Sequence, residues 1–237
     1  MARAAYSIDL TTRGRRGAPT RIDNTLVFRE LVPSELVDAF KFVGRGTSEV
    51  TLNREGALQG LTWCLRRIGE RELNDFTARE KAVKEALRLN RHFDQAIQGW
   101  SDVNIPEPGA VDAVLKTLLE GDEPETWTVT LPGRLAIEAG APDMPERVIT
   151  LKEQPTTQVD ALLRQAEASA KSPLAQVFAA AIEGGRASVI AIDGKPVSLS
   201  AADWDTHFTV YETWLLNQVY ADLNGGGEEA GKAVRLA

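Results

Sequence analysis

The sequence predicts a mainly α chain of the α+β kind: two similar helical modules with small β-hairpins, related by an internal duplication. Three observations carry this expectation. Apolar residues recur at helical spacing through most of the 237 residues. Two turn dipeptides, Pro132-Gly133 and Asp193-Gly194, each separate a pair of β-prone runs. The halves also echo one another. Pro33-Ser-Glu-Leu-Val-Asp-Ala-Phe40 aligns without a gap on Pro155-Thr-Thr-Gln-Val-Asp-Ala-Leu162, and Trp100-Ser-Asp-Val-Asn104 aligns on Tyr220-Ala-Asp-Leu-Asn224.

Residues 1–25 read as a basic N-terminal arm, because Arg13-Gly-Arg-Arg-Gly-Ala-Pro-Thr20 cannot hold a core, with a short strand at Ser7–Thr11 at most. The first module spans 26–121. Leu26-Val-Phe-Arg-Glu-Leu31 is a strand, and Leu36, Val37, Phe40 and Val43 define a helix over 33–43 that Gly44 ends. A second helix is expected over 54–68, with Asn53 as N-cap, Leu58, Leu61, Leu65 and Ile68 as its stripe and Gly69 as its stop. Thr77-Ala-Arg-Glu80 reads as a capping box opening one long helix, with Val83, Ala86, Phe93, Ile97 and Trp100 on its buried face. Lys81, Lys84, Arg88 and Arg91 share another face, with His92 solvated among them. A short helix over 106–121 carries Val111, Val114, Leu115 and Leu118, and the acidic, Pro-broken stretch 121–126 reads as the linker.

The second module spans 122–224. It opens with a hairpin of Trp127–Leu131 and Arg134–Ile137 about Pro132-Gly133, then a strand at 147–151 and a helix begun by Pro155. Ser172-Pro173 starts the next helix, which Gly184-Gly185 ends. A hairpin turns at Asp193-Gly194, and Ser200-Ala-Ala-Asp203 caps one long helix ending near Leu223. Residues 225–237 form a polar, flexible tail.

Lys and Arg total 27 against 34 Asp and Glu, a net charge of −7 that argues against nucleic acid as a partner of the whole protein. The charge is uneven: residues 1–29 hold Arg3, Arg13, Arg15, Arg16, Arg21 and Arg29 against Asp9 and Asp23. No run approaches the length of a membrane span, and the N-terminus lacks the apolar core of a signal peptide. Cys64 is the single cysteine, which removes an internal disulfide and a thiolate metal cluster and fits a reducing compartment.

With His92 and His207 as the two histidines, His-centred catalysis has little to work with. Gly44-Arg-Gly46 lacks the third glycine of a dinucleotide fingerprint and the Gly-Lys-Ser/Thr of a phosphate-binding loop. Asp203 and His207 lie four apart and would share a helix face, but capping already accounts for Asp203. We expect no enzyme, no cofactor and no metal. The residues expected to bind a partner are Lys81, Lys84, Arg88 and Arg91 on the helix face and Arg13, Arg15 and Arg16 in the arm.

In the second half, Arg147-Val-Ile-Thr-Leu-Lys-Glu153, Gln176-Val-Phe-Ala-Ala-Ala-Ile182, Ile192-Asp-Gly-Lys-Pro-Val197 and Tyr220-Ala-Asp-Leu-Asn224 follow one another in a layout that resembles the tail assembly chaperones of tailed bacteriophages. The first half is similar through Leu26–Leu31 and Trp100–Asn104, but has Ile68-Gly-Glu-Arg71 in place of the Asp-Gly-Lys hairpin. The resemblance implies a largely helical, non-catalytic protein of the host cytoplasm that binds tail proteins, either the tape-measure protein or baseplate components, with self-association as a further option. It assigns no functional residue. Two modules in one chain exceed the single module usual in that family, which leaves a second reading: a structural tail or baseplate component retained in the virion.

Overall fold

The alternation of Tyr6, Ile8 and Leu10 places three apolar side chains on one face of a strand, and Leu26 and Phe28 do the same on the next. In the computed structural model, which describes residues 5–12, 21–40, 49–88, 90–134, 143–169 and 173–223, these segments are β1 (Ala5–Thr12) and β2 (Arg21–Arg29). They form an antiparallel pair with Tyr6 opposite Phe28 and Ile8 opposite Leu26. Tyr6 and Phe28 stack with ring centroids 5.0 Å apart. The arm expected over 1–25 is thus replaced at 5–12 and 21–25 by strands, because their apolar alternation buries Tyr6 and Leu10. Residues 13–20 and the tail from 224 lie outside the described residues.

Helices α1 (Pro33–Phe40) and α2 (Glu49–Cys64) follow, then β3 (Leu65–Ile68) and β4 (Arg71–Glu72), so the first sheet is ordered β1-β2-β3-β4. The helix expected over 54–68 stops at Cys64. Its last four residues pair with β2 instead, with Leu26 opposite Ile68 and Phe28 opposite Leu65. Ile68 opposite Arg71 closes a hairpin at Gly69, whose φ of 55° suits glycine, in the place where no hairpin was expected. The long helix expected from 77 is two: α3 (Phe76–Ala86), capped by Asp75 accepting from the Ala78 amide at 2.8 Å, and α4 (Asn90–Asn104). Asp75, not Thr77, is the N-cap.

Past α4 the chain runs through α5 (Pro108–Leu115), β5 (Leu119–Glu120), β6 (Thr126–Leu131) and β7 (Arg147–Lys152). Then come α6 (Thr156–Ser169), α7 (Pro173–Ser188), β8 (Val189–Ile192), β9 (Lys195–Pro196), α8 (Ala201–His207) and α9 (Val210–Leu223). The second sheet is ordered β5-β6-β7-β8-β9. Of the hairpin expected at Pro132-Gly133, residues 135–137 lie outside the described residues; among those described, β6 pairs with β7, where Ile149 and Leu151 meet Val129 and Trp127, and Arg134 bridges to Met144. The fold is therefore α+β with two antiparallel sheets, a larger β content than small hairpins. No helix among the described residues is long and apolar enough to cross a membrane.

Gly184 and Gly185, expected to end a helix, lie inside α7. A Cβ on Gly185 would sit 2.6 Å from the Trp204 ring, and one on Gly184 3.1 Å from Tyr220, so the glycines let aromatic rings lie on the helix backbone. The long helix expected over 200–223 is also two. Ser200 and Asp203 form the expected capping box of α8, and a second one follows inside the run: the Thr209 amide donates to Glu212 at 3.0 Å and the Glu212 amide to Thr209 Oγ1 at 3.3 Å.

One apolar cluster is centred on Leu26, Phe28, Leu61, Leu65 and Val83, the other on Val129, Ile149, Leu151, Trp204 and Leu215. Val114 belongs to the second and β5 pairs with β6, while Met144, Ala175, Phe178 and Val210 join the first, so the two clusters interlock along the chain.

Candidate interaction surfaces

Several polar groups drawn inside this fold are bound to one another. Where the halves meet, Glu30 is fully buried and accepts from Arg134 at 2.6 Å, while the same guanidinium donates to the Val103 carbonyl at 3.0 Å and lies 4.0 Å over the Tyr211 ring. Arg147 repeats the device within the second half, donating to Glu212 and, at 2.7 Å, to the His207 carbonyl, with Phe208 beneath it at 5.0 Å. The Val210 amide donates to the Leu31 carbonyl at 3.1 Å, and the Ser34 amide to Asp205 at 3.1 Å, which ties α1 and the residue stretch before it to α8 and to the start of α9. An apolar crevice lined by Pro33, Leu36, Phe178, Ile182, Val210 and Trp214 runs along this seam.

The residues singled out for chemistry are placed as follows. Cys64 is buried, and burial pushes its thiol well above its ordinary value, which makes it inert. Asp203 is held below the usual carboxylate range by the Ser200 hydroxyl and amide, consistent with its capping role. His92 is buried and not solvated, because it enters α4 on the side turned to the core. Among the described residues no cluster of His, Cys, Asp and Glu could hold a metal ion.

Of the expected partner-binding residues, Lys81, Lys84, Arg88 and Arg91 do not lie along one helix. Lys81 and Lys84 are on α3, Arg88 follows its cap and Arg91 is in the first turn of α4. Lys84 pairs with Glu80 at 2.7 Å and Lys81 with Glu85 at 4.0 Å, the spacing of a solvated helix face. Arg13, Arg15 and Arg16 lie outside the described residues.

The outer faces of the two sheets carry the surface features that sequence reading missed. On the second sheet, Val129 and Ile149 face the core, so their neighbours Thr128, Thr130, Val148 and Thr150 face outward, with Leu119 opposite Thr128 and Ala191 opposite Thr150. These six are uncharged, with Leu119 65 % and Val148 42 % exposed, and Lys152, two residues past Thr150, adds an exposed charge at the end of the same face. On the first sheet the same reasoning puts Ser7, Asp9, Thr25, Arg67 and Glu72 on the other face together with Val27, which is buried, and charges of both signs occur there. The strand alternation that reveals such faces is present in Thr126-Trp-Thr-Val-Thr-Leu131, but it becomes a face only once β5 and β7 are known to flank it.

Comparison with family models, with curated proteins and with solved structures finds no match to this chain.

Proposed function

We propose that the chain is a tandem duplication of one α+β module and acts as a non-enzymatic assembly factor for a phage or phage-like tail, binding a tape-measure or baseplate protein in the host cytoplasm. The observation that carries the reading is the outer face of the second sheet, where Leu119, Thr128, Thr130, Val148, Thr150 and Ala191 form an uncharged patch with Lys152 at its end: a protein interface suits such a patch, with Leu119 and Val148 as its apolar contacts. The layout of 147–224, similar to that of tail assembly chaperones, supports the same class of partner.

Duplication is supported by register. The pairs Leu26–Ile68 and Ile149–Ile192 are followed in both sheets by a shift of one residue, before Phe28–Leu65 and Leu151–Val189. Both sheets then close with a hairpin, and both halves set an aromatic ring on a helical glycine: Trp100 at 3.4 Å from a Cβ on Gly60, and Tyr220 at 3.1 Å from one on Gly184.

Mass spectrometry of purified mature particles beside the infected-cell lysate tests the function. Abundance in the lysate with absence from particles, and co-purification with a tail protein, is the expected result. Fixed copy number in the particle would replace the reading with that of a structural tail or baseplate component.

A further inference from the structure

We propose that Arg66 and Arg79, with Arg29 beside them, form a binding site for a phosphate group at the C-terminal end of α2. The first two side chains come from different elements and meet on one acceptor. The Trp63 carbonyl, in the last turn of α2, receives Arg66 Nη1 and, at 3.2 Å, Arg79 Nη1. A bulge puts Arg66 there: Phe28 is opposite Leu65 and Val27 opposite Arg67, so Arg66 is the extra residue of β3, a position that re-aims a side chain. Arg79 arrives from α3, and its guanidinium lies 5.8 Å over the Phe76 ring, which itself packs on Trp63 with centroids 5.2 Å apart. The donors are therefore held in place before a ligand arrives, which lowers the ordering cost of binding.

Positive charge exceeds negative at this corner. Burial pushes the Arg66 guanidinium down to about 10, and the Arg29 and Arg79 charges push the same way, while Glu35 opposes them. Glu35 is the carboxylate that the described residues bring within ion-pair reach of Arg66, at 3.7 Å, and its other oxygen accepts from the Val32 amide at 3.1 Å. Arg79 pairs with no carboxylate among the described residues, and its Nε–H is buried there without an acceptor. The guanidiniums remain protonated at neutral pH, so a dianion at this corner offsets like charges and supplies acceptors that the chain lacks. Arg66 is 24 % exposed, and Arg29 and Arg79 are half-buried, so the corner is open to an ion from solution.

Capping the end of a helix does not by itself call for two guanidiniums. The register of the two sheets sets Leu65 against Val189, so Trp63 corresponds to Ala187 and Arg66 to Ile190. In the second half the Ala187 carbonyl accepts from one neutral donor, Gln154 Nε2, at 2.9 Å. The charge at the end of α2 thus exceeds what the cap needs, and the planar fork of Arg suits the oxygens of phosphate. The site goes beyond the assembly reading and stands on contacts within the first half.

The probes are inorganic phosphate and phenyl phosphate, added to the full chain at about pH 8, where both are mainly dianions, with chloride holding the ionic strength constant. Two readouts run together: the unfolding temperature, and the arginine Nε–H signals in nitrogen-15 NMR. The expected result is a rise in unfolding temperature that saturates within about 10 mM, unlike the steady rise that salt exclusion produces, while the Arg66 and Arg79 signals move along the same curve. Arg79→Gln is expected to weaken binding about tenfold or more, as is raising chloride to about 1 M. Tighter binding of phenyl phosphate assigns the site to a phosphate carried on an organic molecule, and tighter binding of the inorganic ion assigns it to the free ion. The NMR titration uses the parent chain, so a misfolded variant cannot imitate its result. A rise without saturation that leaves the Arg66 and Arg79 signals unmoved, or signals moved equally by chloride, would overturn the proposal. So would saturable binding that Arg79→Gln, folded by near-ultraviolet circular dichroism, leaves unchanged. Such a failure removes this site and leaves the assembly reading standing, since that reading falls on the particle and lysate measurement.

Discussion

The two sheets share a strand order, a one-residue shift and a closing hairpin, yet their surroundings differ. In the first half Gly99 lets α4 close directly on β1. In the second half α5 contributes Val114 to the core and β5 pairs with the outer edge of β6, whereas the outer edge of β1 has no partner strand among the described residues. The inner faces are both aliphatic and aromatic, whereas the outer face of the first sheet carries charges of both signs and that of the second an uncharged patch with Lys152 at its end. A sheet with one buried face is specified mainly by its inner pattern, so its outer face is the less constrained by folding.

The largest test of that comparison is at the seam. Arg134→Met leaves Glu30 buried without the guanidinium, and we expect a loss of about 3–5 kcal/mol in urea unfolding; a loss under about 1 kcal/mol would mean that this ion pair adds little to holding the halves together.

The helical glycines sharpen the comparison further. Gly185→Ala forces a Cβ to 2.6 Å from the fully buried Trp204 ring, and is expected to cost about 2–3 kcal/mol. Gly60→Ala meets Trp100 at an ordinary 3.4 Å and gains helix propensity, so it is expected to be neutral or to stabilise by up to about 1 kcal/mol. Equal effects at the two sites would contradict the ring-on-glycine account.

A smaller effect attaches to the cap that divides 200–223. Thr209→Val removes the hydroxyl that receives the Glu212 amide and is expected to cost about 1 kcal/mol. The partner cap at Ser200 supplies a pH test. Because the folded Asp203 carboxyl lies below its unfolded value, its contribution is present above the unfolded value and is lost as pH falls through the folded one. The stability difference between the parent and Asp203→Asn is therefore expected to shrink below about pH 4, as read by urea midpoints across pH. Smallest of all, Lys84→Gln breaks the exposed pair with Glu80 and is expected to cost about 0.3–0.5 kcal/mol at low salt and less in high salt.

Much of the core was legible from periodicity: Leu36, Leu61, Val83, Val114, Phe178 and Leu215 are buried where their spacing puts them. Asp193-Gly194 also forms its turn, since positive φ at both residues is what that dipeptide tolerates. Three features were not legible for physical reasons. Leu65 and Ile68 fit a helix at i, i+3, and only pairing with β2 makes them a strand. Gly184-Gly185 carries the signal of a helix stop, and only the rings of Tyr220 and Trp204 make it an interior. Thr209-Val-Tyr-Glu212 is a capping box hidden in an unbroken apolar run, where periodicity outweighed the cap. The candidate surface needed the sheet order itself, which joins residues 119, 128, 150 and 191 across three connections.

The most direct test of the proposed repeat is hairpin exchange: Val189–Pro196 substituted for Leu65–Glu72, eight residues for eight, followed by urea unfolding with near-ultraviolet circular dichroism. A single cooperative transition with the aromatic signal retained is the result expected if the halves are two versions of one module. A non-cooperative transition with that signal lost would contradict it.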